Sequence, residues 1–167
     1  VTTITGRSKQ LSFADVARIA LEQVAKQEKI TLQDTDLNQV GKLMRSLPPH
    51  PDTMPGIKKL HQAGIRLAVL TNSQQSSLNH LMSVTGIGQY LDMQLSVESV
   101  MKFKPAIEVY RMAAEQLSEK LDDLWMVAAH DWDIEGALNA GWHGAFIQRE
   151  GKFYHEEAPS PDTIQAN

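Results

Sequence analysis

The sequence predicts an α/β domain built on a parallel sheet, with a short all-helical region in front of it. Three observations carry this. From Ser12 to Leu47 the only periodicity is helical. After the run Pro48-Pro49-His50-Pro51-Asp52, short apolar strand segments alternate with amphipathic helices. Residues 124–141, LWMVAAHDWDIEGALNAG, then pass from an apolar strand through a charged elbow into a helix. Such an elbow lies at the carboxyl edge of a parallel sheet, where open α/β folds bind ligands.

The elements follow in order. Residues 1–10 are polar and β-branched without a clear period, and VTTIT at 1–5 has the composition of an edge strand. From Ser12, the residues Phe13, Val16, Ala20 and Val24 recur at helical spacing, with Ser12 and Asp15 placed as a capping box. Leu37, Val40, Met44 and Leu47 mark a second helix, and the prolines that follow form the expected domain boundary. A helix over 54–63 should close at Gly64, before a buried strand over 65–70 and the polar turn Thr71-Asn72-Ser73. Leu78, Leu81 and Met82 define a helix ending at Gly86 or Gly88, and residues 93–96 a short strand. Pro105 suits a first helical position, with Ile107, Tyr110, Ala114 and Leu117 on the buried face behind it. The strand over 124–128 should be buried, Gly141 should cap the helix after it, and 145–147 supply a last strand. The tail, rich in Pro, Ser, Glu and Asp, is expected to be loose. Short β-α connections imply a parallel sheet with helices on both faces.

Composition narrows the function. With 167 residues, 42% hydrophobic and 22% charged, the chain has the balance of a globular domain with a proper core. A net charge of −4 gives no basic footprint for nucleic acid. The absence of cysteine removes disulfides and thiolate metal sites and suits a reducing, cytoplasmic setting. No apolar run approaches membrane-spanning length. There is no nucleophile elbow around Ser73, no glycine-rich phosphate loop and no dinucleotide fingerprint.

Three polar clusters sit at strand ends that share one sheet edge: Thr71-Asn72-Ser73, Lys104, and His130-Asp131-Trp132-Asp133. Each also has a plain structural explanation. Thr71, Asn72 and Ser73 can leave a strand and cap a helix, Lys104 can be a solvated lysine, and Trp132 an anchor. Asp133 can cap a helix beginning at Ile134, which is compatible with a chemical role. His130, Asp131 and Asp133 come from one short loop, which is poor geometry for a metal. His50, His61, His80, His143 and His155 form no usable spacing.

In this order, LTNS (70–73), FKPAIEVY (103–110) and VAAHDWDIEGALNAG (127–141) closely resemble the haloacid dehalogenase superfamily, and within it the (S)-2-haloacid dehalogenase branch. The resemblance covers residues 50–148, and the helical hairpin with LPPHPD looks like the end of that family's cap. It implies a Rossmann-like core at 49–167 and a partial helical cap at 1–48. It also implies hydrolysis of a small-molecule 2-haloacid to a 2-hydroxy acid without a metal or other cofactor. In that chemistry an aspartate on the first strand forms an ester with the substrate, and water hydrolyses the ester. By position, Lys104 matches the lysine that keeps the nucleophile ionised, and Asp133 the acid that positions this lysine and helps activate water. Thr71 and Asn72 match residues that hydrogen-bond nucleophile, substrate carboxylate or halide, and Trp132 matches an aromatic wall. His130 stands where an asparagine is frequent, and Ala128 where a serine is. Phosphatase branches usually carry a Mg²⁺-binding aspartate at the position of Ala129, so the resemblance favours the dehalogenase over a Mg²⁺ phosphatase.

The family's Asp-x-Tyr-Gly-Thr nucleophile motif does not occur in the 167 residues. The expectation is a chain that starts within the cap, after the nucleophile strand and the cap arginine. Asp15, Asp34 and Asp36 fall on the helical hairpin and are not candidates for the role. The sheet's central strand would then come from elsewhere: a longer protein, a strand donated by another chain, closure of the flanking strands, or VTTIT; the partner expected is a homodimer or such a strand donor. Dehalogenation would be impaired or absent in this chain. The alternative is a non-catalytic remnant serving as a binding or assembly module.

Overall fold

The computed structural model describes residues 11–166, so the expectation for VTTIT lies outside the described residues. The chain divides into two compact units at Glu98/Ser99.

In the first unit, α1 spans Phe13–Gln27 and α2 Asp34–Met44. The capping box at the start of α1 forms as expected. The Asp15 N–H donates to Ser12 Oγ at 3.2 Å, and Asp15 Oδ2 accepts from the Ser12 N–H at 3.0 Å. Asp36 does the same work for α2, accepting from the Gln33 N–H at 2.9 Å. These carboxylates therefore serve helix starts. Of the apolar positions predicted on α1, Val16 is buried but Val24 is exposed, and Ala25 is buried in its place. Leu47 lies beyond the end of α2 and is exposed, because the helix turns off at Arg45.

Helix α3 is Thr53–Gln62, one residue earlier at each end than the spacing predicts. Strand β1 is Ala68–Thr71 rather than 65–70. The Ile65 N–H is still committed to the helical turn, donating to Leu60 O at 3.1 Å, so the strand starts later. Helix α4, Gln75–Thr85, ends at a left-handed Gly86, and β2 is Met93–Ser96, as expected. Strands β1 and β2 pair in parallel, Ala68 opposite Met93 and Thr71 opposite Ser96. Leu78, Met82 and Ile87 form the core beneath them, with Met54, Ile57, Val69, Leu81 and Leu91 packed against it.

In the second unit, α5 is Ile107–Leu117, β3 Trp125–Ala128, α6 Asp131–Asn139, β4 His143–Gln148 and β5 Thr163–Ala166. Pro105 does not open α5. Ala106 is the N-cap, and Pro105 follows a cis peptide bond in the preceding turn. Helix α6 begins at Asp131, so Asp133 lies inside its first turn and His130 takes the cap position. Strand β3 is buried on one face only. Met126 is covered, whereas Trp125 and Val127 are 52% and 58% exposed. The tail is not loose, because β5 adds to the sheet in parallel, with Ala145 opposite Thr163 and Gln148 opposite Ala166. The order is β3-β4-β5, and no ladder among the described residues joins this sheet to β1-β2. Val109, Tyr110, Ala113, Ile134, Ala137 and Phe146 are essentially inaccessible. Each large apolar side chain among them contributes about 1.5–3 kcal/mol of burial. After α6 the chain reverses at Gly141, whose φ of 94° suits only glycine without strain.

Candidate active site

The second unit gathers the charged candidates around one buried pair. Lys104 sits in the turn before α5 and Asp133 in the first turn of α6, each less than a tenth exposed. Lys104 Nζ donates to Asp133 Oδ2 at 2.6 Å. The other carboxylate oxygen, Oδ1, accepts from the Tyr110 hydroxyl at 2.8 Å, and that hydroxyl also lies 3.2 Å from the Asp133 carbonyl. An isolated buried charge is costly, and a carboxylate held by an ammonium and a phenol avoids that cost. Asp133 is thus an ion-pair partner rather than the helix cap; its own N–H donates to His130 O at 3.2 Å. Tyr110 is pushed far above the usual phenol range, first by burial and then by the charge of Asp133. It is therefore a neutral donor at any ordinary pH.

Close packing holds the group in place. Gly136, one turn after Asp133, faces Tyr110 and Pro105. A Cβ there would lie 2.5 Å from the Tyr110 hydroxyl and 2.7 Å from Pro105 Cβ. Only glycine lets α6 approach the Lys104 turn this closely. Trp132 covers the outer side, with Lys104 Nζ 6.0 Å from its ring centroid, at the edge of cation–π range. His130 is exposed, its ring 5.4 Å from that of Trp132. The Asp131 carboxylate turns back to accept from the Trp132 N–H at 2.8 Å. Chemically, the cluster is a fixed ammonium of defined orientation beside an aromatic wall.

The first unit carries the remaining candidates at the carboxyl end of β1. Thr71 Oγ1 accepts from the Ser73 N–H at 3.1 Å, which tightens the turn around a buried Asn72. Ser96, buried at the end of β2, donates to Ser73 O at 2.7 Å. Glu98 accepts from the Gln75 N–H at 2.6 Å and so holds the start of α4.

Sequence reasoning placed Tyr110 only on a buried face and passed over Gly136 and Ser96. The available signal for Tyr110 was a lone hydroxyl among apolar helical positions, since a buried phenol needs a partner. Among the described residues, no group of three His, Asp or Glu side chains is placed to hold a metal ion.

Comparison with known proteins identifies the family. The haloacid dehalogenase-like hydrolase family matches residues 6–141. The (S)-2-haloacid dehalogenase H-109 of Pseudomonas putida is 30% identical over 150 residues, which cover 90% of this chain and 67% of that protein. Haloacetate dehalogenase H-2 of Moraxella sp. (strain B) is 24% identical over 91% of this chain and 68% of its own length. Among solved structures, the L-2-haloacid dehalogenase from Xanthobacter autotrophicus with chloropropionic acid covalently bound superposes with a TM-score of 0.83. It shares 22% identity, with 93% of this chain and 72% of that one covered. At that identity the likeness speaks for the fold, and the family match carries the assignment: the chain belongs to the haloacid dehalogenase-like hydrolases.

Proposed function

We propose that these residues form the partial cap (1–48) and α/β core (49–167) of a cytoplasmic 2-haloacid dehalogenase, which converts a short 2-haloacid into the 2-hydroxy acid without a metal. The observation that carries the reading is the buried Lys104–Asp133 pair, locked by Tyr110 and flanked by Trp132. Lys104 supplies the positive charge that keeps a carboxylate nucleophile ionised. Asp133 orients Lys104 and helps activate the hydrolytic water, and Trp132 with His130 walls the substrate. Thr71 and Asn72 hydrogen-bond the nucleophile, the substrate carboxylate or the leaving halide. The 167 residues hold no Asp-x-Tyr-Gly-Thr motif, so we infer that alone they do not complete the covalent step.

The test is halide release from (S)-2-chloropropionate by protein of confirmed intact mass, alone and co-expressed with a segment bearing the nucleophile strand of the Pseudomonas putida relative. The expected result is no release by the chain alone, release by the complemented protein, and loss of that release in Lys104→Ala. Inertness of a folded, complemented protein would overturn the reading in favour of a non-catalytic binding or assembly module. Mg²⁺-dependent hydrolysis of p-nitrophenyl phosphate would overturn it in favour of a phosphatase.

A further inference from the structure

The last strand is held by a second acid–cation pair, remote in character from the buried one. Asp162 precedes β5 and bridges two groups at the start of β4. Its Oδ2 accepts from the Gly144 N–H at 2.8 Å, and its Oδ1 lies 2.9 Å from His143 Nδ1. The His143 ring stacks on Trp125 of β3, with centroids 4.8 Å apart and planes inclined by 21°. Three strands therefore meet at one imidazole. The other acidic neighbour is Asp122, in the turn of Leu121–Asp123 that leads into β3. Among the described residues, strand β5 has few other fastenings. Its pairing with β4 spans four residues, three of its side chains are exposed, and the loop before it is pinned by Tyr154, which donates to Pro159 O at 2.6 Å.

We propose that His143 and Asp162 form a pH-dependent clasp that fastens β5 to the sheet, closed while His143 is protonated and loosened when it becomes neutral. An imidazolium donates to both the Asp162 carboxylate and the Asp122 backbone carbonyl while it lies against the Trp125 face, whereas a neutral ring can keep only one of those two donations. Hydrogen bonding to Asp162 raises His143 above its ordinary value, with the Asp162 and Asp122 charges adding to it. The Gly144 N–H, then His143, hold Asp162 below the usual carboxylate range. The raised His143 contribution is fully present below the unfolded histidine value of about 6.5 and fades as pH rises through the folded value. The Asp162 contribution is present above the unfolded aspartate value and is lost as pH falls through its lowered one. The clasp is therefore closed across the mildly acidic range. Its release frees the outer edge of β4, which is open to pairing with other strands.

Amide hydrogen exchange of residues 163–166, corrected for intrinsic rates and read against residues 126–128, tests this between pH 5 and 9. Protection of 163–166 should fall about two- to fivefold more than that of 126–128 as His143 deprotonates. In His143→Gln the difference should be small and independent of pH. The His143 ring titration, followed by NMR, should move back toward the ordinary value in Asp162→Asn. A protection ratio independent of pH in the unmodified protein would overturn the proposal, whether or not either variant folds. So would a His143→Gln profile that matches the unmodified one.

Discussion

Two acid–cation pairs in the second unit show how burial changes what the same chemistry does. Lys104–Asp133 is a tenth exposed or less, is backed by a phenol and is framed by a glycine whose position has no free space for a Cβ. His143–Asp162 is more than a third exposed and bridges the edges of three strands. Removing one partner of the buried pair strands a charge, so the pair resists change and keeps its geometry. The exposed pair is weak, screened by solvent and easily titrated. The first arrangement suits a site that must present a fixed charge, and the second suits an adjustable fastening.

The strongest way to break this comparison is Asp133→Ala, which leaves the Lys104 ammonium buried without its carboxylate. It should cost about 3–5 kcal/mol in urea unfolding, equivalent to roughly 2–4 °C in Tm per kcal/mol. The joint replacement Lys104→Met with Asp133→Leu should cost less than Asp133→Ala alone, because no charge is left stranded. Tyr110→Phe removes one donor to a buried carboxylate and should cost about 1.5–3 kcal/mol by the same measurement. Gly136→Ala should cost about 1–3 kcal/mol, since its Cβ meets Tyr110 and Pro105 in a filled space. Ser12→Ala, which touches neither pair, should cost about 1 kcal/mol through its cap. Salt sharpens the contrast. The extra exchange protection of residues 163–166 at low pH should shrink in 1 M NaCl, while the Asp133→Ala penalty should change little.

Much of the core was legible because local chemistry and tertiary role coincide. Residues 93–96 and the capped helix after Ser12 appear where the spacing places them, and Gly86 and Gly141 end their helices through positive φ. The motif residues at 104 and 130–133 were legible as candidates, and Lys104 and Asp133 as partners only through the family resemblance. Spacing along a chain does not encode which carboxylate a lysine will meet across 29 positions. Tyr110 stayed hidden because its hydroxyl sits on an otherwise apolar helix face. Strand β5 stayed hidden because four residues of mixed polarity carry almost no periodic signal, and they become a strand only when β4 offers an edge.

By itself the sequence determined the class of the protein. It prescribed alternating short strands and amphipathic helices, their glycine stops, and a set of motif residues whose order identifies a hydrolase family. These are local quantities, set by propensity, period and turn chemistry within a few residues. Only the tertiary structure decided that Asp133 lies within the first turn of α6 rather than capping it, that Tyr110 belongs to the same cluster, and that His143 and Asp162 clasp the tail. Those choices depend on which groups lose water together, and desolvation is a property of packing that no short stretch of sequence contains.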